Sequence, residues 1–359
     1  MKLARRCFLG AAVRDEGHGI EVLRVWPGSM AAQAGMTAGD TICAFGALDA
    51  PALASVDALV AACRARAGRA SHLRFERSGD LHAREVPYVP FPDEEVPTAH
   101  VDYGETRGLR TMLVRPRTIE ADTVVCFLPG IDYASVDYAL RERAPAAHFL
   151  AGLVAAGIAT YRIERPGLGD SPGLACAGFL DEQSVYRNGL ETLRRSGQFD
   201  RIVLFGHSVG GMHAPMLADL ADASIVYGTS ARRWSTCLRE GRDRQRSLRG
   251  QSPLSQMPPW PIQRPIRFHR ELEAVDLAAE WSRAQIPSLT LIGAYDWVVS
   301  EREQRELPGV AAVLDGLDHA FTTHRSKQES LARLGRGSLD DQVATACARW
   351  LRELSGERR

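Results

Sequence analysis

Residues 202–211 read Ile202-Val203-Leu204-Phe205-Gly206-His207-Ser208-Val209-Gly210-Gly211. The first four form a continuous apolar run, the mark of a strand buried on both faces. Gly206-His207-Ser208-Val209-Gly210 is G-x-S-x-G, and the stretch Val209–Leu220 that follows reads as a helix. In that context the serine sits on a tight, strained strand-to-helix turn. Its hydroxyl is exposed, and a helix N-terminus lies beneath it. The five-residue pattern alone is common and often marks only a glycine-rich turn. The strand before it and the helix after it favour a nucleophile.

The same alternation extends on both sides. Val124–Leu128 is a second continuous apolar run. A helix is expected over Ala146–Ala156, a strand over Ile158–Ile163 and a helix over Glu182–Arg195. Beyond the serine, strands are expected at Ser224–Tyr227, Leu289–Ile292 and Val310–Leu314, and a last helix at Leu339–Leu354. Strands alternating with helices predict an α/β fold with a doubly wound, mostly parallel sheet covered on both faces. One interruption stands out. From Ala231 to Arg270 there are ten arginines against Glu240 and Asp243, with five prolines among them. This stretch reads as an insertion over the sheet, placed at residues 229–285.

A serine hydroxyl needs a base to become a nucleophile, and the base needs an acid to orient it. Two later strands end in suitable residues: Gly293-Ala294-Tyr295-Asp296 and Asp315-Gly316-Leu317-Asp318-His319. Asp296 and His319 are therefore expected on loops at the C-terminal edge of the sheet, beside Ser208. His319 would take the serine proton and Asp296 would hold the imidazole. A lone Asp after a strand is usually a turn or cap, and a lone His usually packs. It is the joint order and placement that favour a triad. Asp318 competes as the acid or as a cap of its own loop. His207, next to the serine on a tight turn, is expected to pack. The oxyanion formed by the attack needs N–H donors, assigned to Val209 and to Ile131 in the turn after Phe127-Leu128. Tyr133 lines the pocket or packs.

These residues carry a resemblance. Gly206–Gly211, Leu128-Pro129-Gly130, Arg165-Pro166-Gly167-Leu168-Gly169-Asp170-Ser171, Gly293–Asp296 and Asp318-His319-Ala320-Phe321 together resemble an α/β-hydrolase over residues ~100–355. The resemblance implies a lid for the insertion and a Ser-Asp-His mechanism through an acyl-enzyme. It implies neither cofactor nor metal. Pro129-Gly130 stands where many relatives have His-Gly, and Glu164 where Asp is usual.

Length and composition set the frame. The 359 residues suggest two domains, or three, at about 150 residues each. Forty-four Lys and Arg balance forty-four Asp and Glu, which argues against a general nucleic-acid binder. No apolar run is long enough to span a membrane. Seven scattered cysteines without a C-x-x-C pair fit a reducing compartment, and the cytoplasm is expected. Arg5-Arg6 superficially resembles an export signal, but Arg14-Asp15-Glu16 cut the following apolar stretch short.

Residues 87–97, Pro-Tyr-Val-Pro-Phe-Pro-Asp-Glu-Glu-Val-Pro, form a stiff, acidic connector. The predicted domains are 1–88, a linker over 89–99, and 100–359. The first is β-rich and small. Phe8-Leu9-Gly10-Ala11, Gly19–Val22, Pro27-Gly28-Ser29-Met30-Ala31-Ala32-Gln33-Ala34-Gly35-Met36, Ala38-Gly39-Asp40-Thr41-Ile42 and Leu73-Arg74-Phe75 make it similar to a PDZ domain of the bacterial protease type. That implies capture of a peptide C-terminus by the Phe8-Leu9-Gly10 turn. The peptide would add to strand Ala11–Val13 and lie against helix Val56–Ala65.

The expected function is a serine hydrolase that cleaves an ester, thioester or amide, with a small-molecule or peptide acyl substrate. Recruitment by the first domain favours a peptide-linked one. Arg232, Arg233, Arg239, Arg242, Arg244, Arg246 and Arg249 offer an anionic or carrier-linked substrate a partner, or form a solvated face. Trp234, Trp260, Trp281 and Trp297 are expected as pocket walls or core. The alternatives are a simple carboxylesterase or thioesterase, an acyltransferase or cyclase on the same site, and a silent peptide-binding scaffold.

Overall fold

The computed structural model describes residues 3–15, 19–141, 143–173, 177–256, 260–261 and 264–356. They fall into two compact units, Met1–Asp93 with Gly167–Gly173, and Glu94–Pro166 with Leu174–Arg359. Among the described residues no helix is long and apolar enough to cross a membrane.

The first unit is a five-stranded antiparallel sheet of β1 (Ala11–Asp15), β2 (Ile20–Val25), β3 (Thr41–Gly46), β4 (Ser71–Arg77) and β5 (Asp80–Val86), in that spatial order. Helices α1 (Met30–Gln33) and α2 (Val56–Ala65) complete it. Ser29 and Ser55 cap them by accepting from the amides of Ala32 and Ala58, which removes an orphan donor at each start. Ile20, Val22, Met30, Ile42, Phe45, Leu59, Leu73 and Phe75 form its core. Gly10 has φ +64°, and a Cβ there would fall 2.1 Å from the Ser29 Cβ, so this turn tolerates no side chain. Of the three residues read as a carboxylate-catching turn, Phe8 has its amide already engaged. It donates to the Val89 carbonyl at 2.8 Å, because the chain after β5 returns alongside residues 6–8.

The second unit is built on an eight-stranded sheet. Its strands are β6 (Ala99–Thr106), β7 (Leu109–Pro116), β8 (Thr123–Leu128), β9 (Ala159–Ile163), β10 (Arg201–His207), β11 (Ala223–Tyr227), β12 (Ser288–Gly293) and β13 (Val310–Leu314). Spatial order is β13-β12-β11-β10-β8-β9-β7-β6, parallel from β9 to β13 and antiparallel at β6 and β7. Strand order reverses between β8 and β10. In open sheets that switch point leaves a crevice beyond the strand C-termini, where ligands bind.

Every residue of β8 is buried, as a strand covered on both faces requires. Val125 and Phe127 face a cluster with Phe149, Phe205, Tyr227, Phe321 and Trp350, which seats α3 (Pro145–Ala155) and, at the chain's end, Gln342–Leu354. Val124, Cys126 and Leu128 face Tyr161, Tyr186, Leu190 and Leu217, which seat α4 (Phe179–Ser196).

The helix expected over Val209–Leu220 is two pieces: α5 (Val209–His213), then a 3-10 turn over Ala214–Leu220. Pro215 has no N–H to donate to the carbonyl four residues earlier, so the α-ladder stops there. The insertion folds as α6 (Trp234–Leu248), α7 (Ile266–Ala274) and α8 (Leu277–Arg283). Short α9 (Glu301–Gln304) and α10 (Lys327–Ala332) precede the final helix α11 (Gln342–Leu354). That helix starts three residues later than expected, because Ser338–Leu339 pairs as a short ribbon with Thr322–Thr323. The β6–β7 hairpin was not anticipated from sequence.

Candidate active site

Ser208 leaves β10 with φ +53° and ψ −121°, a conformation that side-chain-bearing residues avoid. Two glycines permit it. A Cβ on Gly206 would lie 2.5 Å from the Gly211 Cα, and one on Gly210 would lie 1.9 Å from the Leu128 carbonyl oxygen. The elbow is thus wedged against the end of β8, which brings Gly130 to Ser208. A Cβ on Gly130 would sit 3.3 Å from the Ser208 Cβ. Ser208, Val209, Gly130, Ile131 and His319 line one cavity of about 670 Å³.

The structure brings His319 and Asp296 together. The His319 Nδ1–H donates to Asp296 Oδ2 at 2.8 Å, leaving Nε2 as the basic nitrogen of the neutral ring. Asp296 Oδ1 accepts from the amides of Val298 and Val299 at 2.8 and 3.0 Å, so the carboxylate is fixed at both oxygens. Burial disfavours the charged form of His319. The Asp296 charge and its hydrogen bond, helped by Asp318 and Asp132, outweigh this and hold the imidazole above its ordinary value.

Asp318 is engaged elsewhere. Its Oδ1 accepts from the amides of Ala320 and Thr322, and its Oδ2 from Thr322 Oγ1, His324 Nε2 and the Gly335 amide, all within 2.7–2.9 Å. It shapes the loop that presents His319.

Two supporting residues escaped the sequence reading. His207 does more than pack: its Nε2–H donates to the His319 carbonyl at 2.8 Å, and burial with the neighbouring His319 pushes its pKa down to about 3. It is therefore a neutral strut beneath His319. Gln304 Oε1 accepts from the Gly228 amide at 3.1 Å, bracing the backbone against which His319 lies. Neither has a local sequence signature, since their partners lie far along the chain.

The cavity wall is aromatic. Trp234, Trp260 and Trp297 line it with Met212, Leu238 and Val298, whereas Trp281 is core on the far sheet face. Tyr133 packs: Arg264 stacks 4.4 Å over its ring, and its hydroxyl accepts from the Ala177 amide. Most insertion arginines named for an anionic ligand have partners inside the protein. Arg232 pairs with Glu240 and Glu306, and Arg244 with Glu303. Arg246 donates to the Ser252 carbonyl. Among the lining residues Arg242 is the arginine that reaches the cavity, with Gln245 accepting from it at 2.7 Å.

A G-x-S-x-G elbow at the switch point of a doubly wound sheet shares one cavity with a His–Asp pair, the arrangement of the α/β-hydrolase architecture. The chain belongs to the Alpha/beta hydrolase family, whose profile matches residues 127–351, more than half of its length. Among curated proteins it is similar to Esterase EstD of Thermotoga maritima, with 25% identity over 197 residues. The match covers 47% of this chain and 48% of that one, so the chain spans about half the length of the curated relative. Among solved structures, Est1E from Butyrivibrio proteoclasticus with ferulic acid bound shares 16% identity over 71% of this chain and 100% of its own, with a TM-score of 0.51. A second Est1E structure gives 15% identity, 72% and 99% coverage and the same TM-score. These two likenesses concern the fold.

Proposed function

We propose that the chain is a serine esterase. Ser208 Oγ attacks the ester carbonyl carbon as its proton passes to His319 Nε2. Asp296 stabilises the imidazolium. The amides of Val209 and Ile131 receive the oxyanion. Collapse expels the alcohol, which takes the proton from His319. Water, deprotonated by His319, then releases the acid from the acyl-enzyme. The observation that carries this reading is the presence in one cavity of a serine on a strained elbow and a histidine oriented through Nδ1 by a doubly held carboxylate.

An ester is preferred over an amide or thioester because the curated relative is an esterase. A simple ester also suits the aromatic cavity wall. The peptide-linked substrate is the second reading. It is favoured by the position of β1 at the edge of its sheet, directly after the Phe8-Leu9-Gly10 turn, whose Leu9 and Gly10 remain assigned to carboxylate capture. Arg242 is assigned to anionic groups on the substrate.

One panel separates these parts. Fluorophosphonate labelling and hydrolysis of short neutral acyl esters test the core reading, which fails if neither occurs. Esters carrying a carboxylate should gain in kcat/KM over neutral ones if Arg242 contributes. Peptide esters with free C-termini should outrun amidated ones if the first unit recruits, and equal rates end that role.

The base sets the pH dependence. Neutral His319 is the active form, and its pKa is raised. Activity should therefore fall as pH drops through a midpoint above the ordinary imidazole value of 6.5, measured as the acid limb of kcat/KM. A limb centred below 6.5 contradicts the assignment.

A further inference from the structure

A buried ionic cluster lies behind the loop that supplies the second oxyanion donor. Arg165, just past β9, donates through Nη1 to the Gly130 carbonyl at 3.2 Å, and through Nη2 to the carbonyls of Asp132 and Ala134. Arg264, from the insertion, donates through Nε to the Ile131 carbonyl at 2.7 Å. Its two terminal nitrogens grip both oxygens of Glu182 in α4. The guanidinium is sandwiched at 4.4 Å from the Tyr133 ring and 4.6 Å from the Phe268 ring. Arg165, Arg264 and Glu182 are all buried. Burial penalises the Glu182 carboxylate, but its bond to His213 and the two arginines keep it ionised.

Four carbonyls of one irregular loop thus accept from two buried cations. A buried ion pair is a poor way to gain stability alone, since apolar side chains of similar volume often serve as well. It does fix direction. In a trans peptide the C=O and N–H point oppositely. Holding the Gly130 carbonyl against Arg165 turns the Ile131 N–H away from the cluster, and holding the Ile131 carbonyl against Arg264 does the same for the Asp132 N–H. Gly130 itself abuts Ser208. A cation bonded to a peptide carbonyl also polarises the peptide and strengthens its N–H as a donor.

We propose that Arg165 and Arg264, locked by Glu182, are positioning residues that aim and polarise the oxyanion donor of the Gly130–Asp132 loop, so that the insertion completes the catalytic site. This rests on the serine-nucleophile reading above.

The test uses the full chain with Arg264→Lys, which keeps the charge but loses the fork, and with the paired Arg264→Met/Glu182→Met, which removes both charges together. Three quantities are compared with wild type. They are kcat and KM on a short acyl ester, the second-order rate of fluorophosphonate labelling, and the Ki of the product acid. In labelling, Ser208 Oγ bonds to phosphorus, fluoride leaves, the serine proton goes to His319, and the phosphoryl oxygen needs the same donors. Loss of one oxyanion donor typically costs about 10²–10³ in kcat. Misaiming it should therefore lower kcat and labelling by roughly tenfold to a hundredfold, with KM and product Ki within about threefold, and less in Arg264→Lys than in the pair. Wild-type kcat and labelling rates in the folded pair overturn the proposal. So does a parallel loss of KM and product binding, which would mark a collapsed cavity. If wild type takes the probe but no ester, the esterase reading fails, and the positioning role is still read from labelling.

Discussion

Ser208→Ala is expected to lower kcat by about 10⁴- to 10⁶-fold and to abolish fluorophosphonate labelling, with little change in thermal stability. The residual rate would come from the remaining donors and from substrate binding. Ser208→Gly should be equally inactive yet more stable. A φ of +53° with ψ −121° costs a side-chain-bearing residue about 1–3 kcal/mol, and glycine adopts it freely. Alanine keeps that strain and glycine releases it. The pair thus separates the chemical role of the hydroxyl from the backbone strain that presents it. Thermal melts and single-turnover assays on both variants are sufficient. Labelling that persists in Ser208→Ala would falsify the assignment of the nucleophile.

Asp296→Asn should lower kcat by about 10⁴-fold while leaving the fold intact. The cause can be traced to two backbone amides. Val298 and Val299 both donate to Oδ1, so an asparagine would keep its oxygen there and turn its NH₂ toward His319. The imidazole Nδ1 must then accept, which moves the ring proton to Nε2. A protonated Nε2 cannot take the serine proton. The same change removes the charge that raises the His319 pKa, so the acid limb of any residual activity should move down. Asp318 offers no rescue, because its oxygens already hold the loop and His324. Activity within tenfold of wild type would mean that another carboxylate orients the base.

Much of the site is legible from the chain alone because its signals are local. A strand of four apolar residues, a glycine-flanked serine and a helix start occupy one short window, and steric limits on that turn leave few alternatives. Asp296 and His319 announce themselves by standing at strand ends in the required order. Element limits were less readable. Pro215 ends α5 at a position that periodicity passes over, and the ribbon pairing of Ser338–Leu339 delays α11. The β6–β7 hairpin turns at Thr106-Arg107-Gly108, where Gly108 has positive φ, a cue that was available.

The arginines show where local reading stops. In the sequence, residues 231–270 are one basic block. In the fold, Arg232 and Arg244 find acids of α9 and its flank, Arg264 disappears into the unit beside Glu182, and Arg242 reaches the cavity. Side-chain type alone does not distinguish these fates, because each depends on a partner far along the chain, or on the shape of the cavity. His207 and Gln304 are of the same kind. The chain by itself determined the family architecture, the elbow that carries Ser208, and the strand-end positions of Asp296 and His319, since strand, turn and helix preferences act over a few residues. Only the tertiary structure decided which carboxylate bonds to His319, which carbonyls of the loop after β8 meet buried arginines and which arginine lines the cavity. Those choices rest on hydrogen-bond directions and burial between distant segments, and these exist only once the segments have packed.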